Sequence, residues 1–202
     1  MNARTALSTL TFGALLLLTA CTSPAVEPPG LTASPTTTPT PSPTPEPTPT
    51  DGIQVHSDPE AGIFFEEVPD LSGDEAEVYN WIATYQKAYW QTLRTNELSG
   101  TLASIASADM QATLQQIATD NAASGVRVTG TFRTRITDIV VTGDTATGVK
   151  CDDLREATFA TAEHEWTPTE VGTDVPERGT VELTRLDGGV WYINNVLEAG
   201  SC

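Results

Sequence analysis

From Thr22 to about Pro49 the chain is built mainly of proline, threonine and serine, as in the run PTTTPTPSPTPEPTP over 35–49. Such a segment has too few apolar side chains to offset the entropy of ordering it, so it cannot take part in a fold. Proline biases it toward extended polyproline II, in which about 28 residues reach up to roughly 85 Å. The tract reads as a spacer, and its Ser/Thr/Pro mixture is also the kind that accepts O-linked sugars. It divides the chain into a short N-terminal piece and one foldable piece of about 130 residues, enough for a single domain with a real core. The stretch from Asp51 to Asp70 is transitional, with Phe64, Phe65 and Val68 as the side chains of an N-terminal arm.

The N-terminal piece begins with one basic residue, Arg4, followed by an apolar run from about Ala6 to Leu18. A permanent bilayer span needs about 20 apolar residues, so this run has the length of an export signal. It ends in Leu18-Thr19-Ala20-Cys21, which resembles the bacterial lipobox. The resemblance implies cleavage after Ala20 and acylation of the Cys21 Sγ, a palmitate-type anchor on the outer side of the cell membrane. At ~0.8 kcal/mol per buried CH₂, two acyl chains hold a protein where one would be marginal. The alternative is a plain secretory signal with a chance cysteine. The organisation expected is a lipoprotein signal peptide over 1–20, an acylated cysteine and linker over 21–60, and a domain with its arm over 61–202.

Charge limits the partners. The chain has 27 acidic against 10 basic residues. A surface so acidic argues against nucleic acid, whose phosphates call for Lys and Arg, and against electrostatic docking on anionic lipid. The acids are scattered, with no calcium-binding loop pattern, so their first role is solubility. No sequence pattern calls for a cofactor: P-loop, dinucleotide fingerprint, nucleophile elbow and zinc-protease motif are all missing. The remaining partners are the membrane, through the lipid, and a cell-wall component or envelope protein.

With Cys21 acylated, Cys151 and Cys202 make an even count in an oxidising compartment, and a disulfide between them is the simple expectation. By chain entropy it would stabilise the fold by roughly 4 kcal/mol. A metal or redox pair is the competing reading, but there is no C-x-x-C, and His56 and His164 are the chain's two histidines.

In the domain, Ser72 and Glu75 fit a capping box. Val78, Trp81, Ile82, Tyr85, Tyr89 and Leu93 recur at helical spacing, which predicts a helix over about 74–95 with Trp81 in its buried stripe and Trp90 off it, facing a loop or a neighbour. Leu102 and Ile105 sit in a short turn, and a second helix runs from Ser107 to a C′ residue at Gly125. The period then becomes two. VRVTGTFRTRI, at 126–136, places Val126, Val128, Phe132 and Ile136 on one face of a strand and Arg127, Arg133 and Arg135 on the other. A phase slip near Thr137-Asp138 predicts a bulge. Gly143-Asp144 turns the chain into a strand through Val149 and Cys151. A looser segment follows with Thr158, Phe159 and Trp166, and a hairpin then turns at Asp187-Gly188-Gly189.

Helices followed by consecutive strands make an α+β order, with N-terminal helices packed on a curved antiparallel sheet. This order, the strand VKCDD (149–153) and the turn-strand GGVWYI (188–193) with its terminal Gly-x-Cys resemble the NTF2-like, or cystatin-like, cone carried by lipoproteins of actinobacteria. The resemblance covers about Gly73 to Cys202. It implies a pocket between helix and concave sheet, and in the enzymes of that superfamily the pocket holds an Asp–His pair or a similar acid–base set.

Acid–base chemistry needs a titratable residue within reach of a partner. Asp152 and His164 are the candidate bases, against structural readings in which Asp152 caps a turn or pairs with arginine and His164 is exposed. The arginine stripe could hold an anion on a concave face, and reads first as a solvated outer face with cross-strand ion pairs. Trp81, Tyr85 and Tyr89 are core residues that could also line a pocket. The leading expectation is a non-catalytic binding or accessory domain on a lipid anchor. The alternatives are a pocket enzyme of isomerase or hydrolase type, or a structural subunit of the envelope. A pocket with paired titratable groups would favour the enzyme, and an exposed apolar patch without a pocket the structural subunit.

Overall fold

The structure, a computed structural model, describes residues 52–202. The signal, Cys21 and the proline-rich tract lie outside the described residues. The elements are β1 (Ile63–Phe65), α1 (Gly73–Thr95), α2 (Leu102–Ile105), α3 (Ala108–Ser124), β2 (Arg127–Gly130), β3 (Phe132–Thr142), β4 (Thr145–Asp153), β5 (Ala157–Ala160), β6 (Glu165–Trp166), β7 (Glu177–Arg185) and β8 (Trp191–Ser201). The architecture is α+β, with the helices packed on a curved antiparallel sheet. The main sheet has the order β1-β3-β4-β7-β8, and β2-β5-β6 form a smaller one. Within the main sheet β1 pairs parallel to β3, while β3, β4, β7 and β8 are joined by antiparallel ladders.

α1 is buried over much more of its circumference than one stripe. Val78, Tyr79, Ile82, Ala83, Tyr85, Ala88, Trp90 and Leu93 all lie in the core. A helix buried on several sides must be packed from several sides. Here the main sheet covers one side, and the chain from Gly52 to Phe65 covers another. This corrects the expectation for the two tryptophans: Trp81 is only half-buried at the edge of the core, whereas Trp90 is 1% exposed. The Trp90 ring lies 5.5 Å from Phe132, and its Nε1 donates to the Ala61 carbonyl at 2.7 Å. Trp90 does face a neighbour, the N-terminal arm, and that contact takes it into the core.

Ser72 is the N-cap of α1, but its side chain makes no capping hydrogen bond, so the expected capping box is not formed. α3 does have a side-chain cap: Ser107 accepts from the Met110 N–H, and Gly125 closes the helix at φ 67°. The strand expected over 126–136 is two strands in different sheets. Gly130, at φ 84°, turns the chain between them, and a Cβ there would meet the Glu156 carbonyl oxygen at 2.3 Å. A glycine is required by both the positive φ and this close approach. Beyond it the alternation holds: Phe132, Thr134 and Ile136 point in, and Arg133 and Arg135 point out. The register slips between Thr137 and Val140, with Asp138 at φ 50°, and Ile139 and Val141 then face the core.

Arm contacts begin as early as Gly52, within the stretch read as transitional. Asn80 Nδ2 donates to the Gly52 carbonyl, and Asn80 Oδ1 accepts from the Gln54 N–H. That fixes Oδ1 as an acceptor, so His56 Nε2, 2.8 Å away, is the donor. His56 is buried beside Phe65 and Tyr79. Ile63 and Phe65 join the core, whereas Val68, expected to pack, is 51% exposed. Arg133 pairs with Glu66 and Glu156, Arg135 pairs with Glu67, and Arg127 is exposed, so the arginine stripe faces outward. Cys151 and Cys202 form a disulfide with Cα atoms 6.1 Å apart. Cys151 lies opposite Arg178 on β7, and the Cys202 N–H donates to the Pro176 carbonyl, so the bond ties the chain end back across β7 to β4.

Two outcomes are expected. Trp90→Ala should destabilise the domain by about 3–5 kcal/mol, the range for large aromatic truncations in a core. Trp81→Ala should cost clearly less, and urea denaturation of both variants checks the order. The second concerns acid. Burial holds the His56 imidazole below its ordinary value, with the hydrogen bond to Asn80 opposing and the Lys87 charge adding. In the window between that lowered value and 6.5 the unfolded chain binds a proton that the folded one does not, so stability falls as pH falls. Between about pH 7 and about pH 5, stability should fall more steeply in the wild type than in His56→Gln, measured by denaturant midpoints.

Candidate functional site

Strand alternation on β4 buries Ala146, Gly148, Lys150 and Asp152 on the sheet face covered by the helices. Two of these four are charged, and both are nearly inaccessible: Lys150 is 5% and Asp152 6% exposed. Residues two apart on a strand project side by side. Lys150 Nζ accordingly reaches Asp152 Oδ2 at 2.7 Å, and it also reaches Glu198 Oε1 on β8 at 3.1 Å. β7 lies between those two strands, and the residue in register with both Lys150 and Glu198 is Gly179. A Cβ on Gly179 would meet Lys150 Cε at 2.7 Å and Glu198 Oε2 at 3.0 Å. The missing side chain is what lets the ammonium cross β7.

The other oxygen of Asp152 is held from β3 and α1. Thr134 Oγ1 donates to Asp152 Oδ1 at 2.7 Å. Gln86 Nε2 donates to Thr134 Oγ1 at 3.0 Å and also to Asp152 Oδ1. Gln86 is itself fully buried, and its Oε1 has no hydrogen-bond partner among the described residues. A buried acceptor left open is costly in a finished core.

Gln86, Lys150 and Asp152, all buried, form the floor of a cavity of about 510 Å³ between α1, α3 and the sheet. Its apolar wall includes Met110, Leu114 and Ile117 of α3, and its mouth carries Asp109, Glu177 and Glu198. Tyr85 and Tyr89 line it with rings stacked 6.4 Å apart. Burial pushes the Tyr85 phenol up to about 12 and Tyr89 higher still, so both hydroxyls keep their protons at neutral pH. Burial pulls Lys150 down, but the Asp152 and Glu198 carboxylates outweigh it and hold the ammonium above its ordinary value. Burial also pushes the Asp152 carboxyl up, against the pull of the Lys150 charge and the hydrogen bonds from Lys150 and Thr134.

A second cleft of about 610 Å³ lies between the arm and another side of α1. Its charged side chains, Asp58, Lys87 and Arg94, are all at least partly exposed, so it has no buried polar floor. Among the described residues no three His, Cys, Asp or Glu side chains gather as a metal site, and no helix is long and apolar enough to cross a membrane.

Of the sequence candidates, Tyr85, Tyr89 and Asp152 meet at the first cavity. Trp81 lines neither cavity: it lies on a part of α1 that packs at the edge of the core. His164 is exposed in the β5–β6 turn, 4.9 Å from the Trp166 ring, and has no part in the site. Lys150, Gln86, Thr134 and Glu198 were not anticipated. The signal for one of them was present, since Lys150 shares the β4 face of Asp152, opposite Val149 and Cys151.

No family model matches the chain, and no curated protein matches it. Solved structures do. The intermembrane-space region of the chloroplast protein ARC6 aligns at 14% identity and TM-score 0.48, covering 65% of this chain and 100% of that one. The Kfla4162 protein from Kribbella flavida aligns at 17% identity and TM-score 0.39, covering 64% and 91%. A candidate ketosteroid isomerase from Shewanella frigidimarina aligns at 17% identity and TM-score 0.30, covering 59% and 92%. At these scores they stand as likenesses alone, and the α+β architecture rests on the helix and strand arrangement itself.

Removing one member of the floor exposes how the pair is held. Lys150→Met should destabilise by about 3–5 kcal/mol, because Asp152 is left buried without its cation. Adding Asp152→Leu should recover part of that loss, and a double-mutant cycle in urea measures the coupling.

Proposed function

We propose that this chain is a lipid-anchored extracytoplasmic protein whose domain binds a small ligand in the first cavity without transforming it. Acylated Cys21 would hold it to the cell membrane, and the proline-rich tract would carry the domain outward toward a cell-wall component or an envelope protein. The observation that carries the binding reading is the pairing of a ligand-sized cavity with an open, fully buried acceptor, Gln86 Oε1, among its lining residues. Pockets of several hundred Å³ with an apolar wall and a few convergent polar groups are the usual form of small-molecule sites. The lipobox resemblance at Leu18–Cys21 supports the anchor, and the NTF2-like patterns of 149–153 and 188–193 imply a pocket in the same place.

Asp152 bears on the choice between binding and catalysis. A general base must present a free lone pair to the proton it removes. Here Oδ1 accepts from Thr134 and Gln86, and Oδ2 accepts from Lys150, so three of the carboxylate's roughly four acceptor positions are used by the protein, which supports binding over proton abstraction. The second reading, an acid–base enzyme, draws on the same residue: Asp152 is a buried carboxyl with a raised proton affinity, lining the cavity beside two tyrosines.

Two arms of one experiment test the proposal. Fractionation should find the chain in the membrane and Cys21→Ser outside it, with a mass lacking the acyl groups. Native mass spectrometry of the membrane-extracted chain should show a bound small molecule that is absent from Leu114→Trp, which fills the cavity. Tight membrane association of Cys21→Ser would remove the anchor. A wild-type chain that never carries a ligand would remove the binding role.

A further inference from the structure

The charges around the first cavity do not balance. Its lining holds four carboxylates, Asp109, Asp152, Glu177 and Glu198, against one ammonium, Lys150. Lys150 is already shared between Asp152 and Glu198. Among the described residues neither Asp109 nor Glu177 has a cation within ion-pair distance. Glu177 stands on β7 directly opposite Asp152, so it faces the floor pair from the next strand. Burial pushes the Glu177 carboxyl up, with the Glu198 and Asp152 charges adding and the Lys150 charge opposing. The excess lies toward the mouth, where Asp109, Glu177 and Glu198 are exposed. The interior differs: the stacked Tyr85 and Tyr89 rings and the Met110 and Leu114 side chains offer apolar and aromatic surface. Gln86, a fully buried lining residue, carries an acceptor, Oε1, with no donor among the described residues.

Resting on the binding role proposed above, we propose that the cavity takes a small organic cation: a protonated amine held at the mouth by Glu177 and Glu198, an apolar or aromatic body against the two tyrosines, and a hydrogen-bond donor that meets Gln86 Oε1. An amine fits the mouth because it supplies the positive charge that the lining lacks. An anionic head would instead add to the unpaired carboxylates, which costs affinity where water is partly excluded. A bare metal ion is a poorer occupant, because no three carboxylate, imidazole or thiol ligands converge among the described residues. The donor follows from the cost of leaving a buried acceptor unpaired.

Tyramine has these three parts, and close relatives remove them singly. Tyrosol replaces the ammonium by a hydroxyl, hydroxyphenylpropionate replaces it by a carboxylate, and phenethylamine lacks the phenolic donor. Calorimetric titration of the full chain should rank tyramine about tenfold tighter than tyrosol and phenethylamine, with hydroxyphenylpropionate weakest. Glu177→Gln should remove most of the preference for tyramine over tyrosol while leaving the melting temperature in place. Glu163→Gln, which removes an exposed charge in the β5–β6 turn, should change nothing. Equal binding of tyramine, tyrosol and hydroxyphenylpropionate would overturn the cation preference but leave the cavity as a binding site. An equal effect of the two glutamate variants would also overturn it, since the attraction would then be that of the whole acidic surface. Failure of all four probes would overturn this proposal, whereas the bound molecule seen by native mass spectrometry would still speak for the cavity.

Discussion

Everything else in the domain is arranged around α1 being enclosed from several sides. One helix face lies on β3 and β4, and another is closed by the arm from Gly52 to Phe65, with Trp90 as the wedge between arm and sheet. A helix so enclosed can bring a polar residue such as Gln86 to the floor of the sheet and still keep its large side chains in the core. The arm is part of this enclosure. Its hold depends on a few specific groups: the Asn80 amide and His56, the Ala61 carbonyl that accepts from Trp90 and Arg94, and the parallel pairing of β1 with β3.

The cavity is the part of the concave face that α1 and α3 leave unfilled. Burying Lys150 and Asp152 there costs desolvation on both charges, and their attraction returns it only when the geometry is good and the remaining hydrogen-bonding positions are met. Here the positions are met by Thr134, Gln86 and Glu198, drawn from three further elements. Replacing such a pair by an apolar floor of equal volume is often neutral or stabilising, so a buried pair is weak evidence of a stabilising role. This one lies beside a cavity and leaves one buried acceptor of a lining residue, Gln86 Oε1, without a partner among the described residues. The disulfide works on the opposite face, where it ties the end of the chain beyond β8 back to β4, next to the strand positions of Lys150 and Asp152.

Much of the fold was legible because it follows from local rules. The spacing of Val78, Ile82, Tyr85 and Leu93 marked α1, Ser107 and Gly125 bounded α3, and the phase slip at Thr137-Asp138 marked the bulge. Local rules failed where an element met a distant one. Trp90 looked off the stripe because a single stripe assumes one packing partner, and the arm is a second. VRVTGTFRTRI looked like one strand because Gly130 does not interrupt the alternation, whereas its positive φ sends the chain into another sheet. Ser72 sits where an N-cap should, but its side chain is not turned to the helix.

The same division holds for the site. The amino-acid sequence alone determined that the foldable part follows a proline-rich tract, that Tyr85 and Tyr89 share a helix face, and that Lys150 and Asp152 share a strand face, because helical and strand periodicity are properties of neighbouring residues. Only the tertiary structure decided that the Lys150–Asp152 face points inward, that Gly179 leaves the gap through which Lys150 meets Glu198, and that Gln86 lies against Thr134 and Asp152. Those contacts join residues as many as 66 positions apart. Their proximity depends on how helix and sheet curve around one another, which no local pattern records.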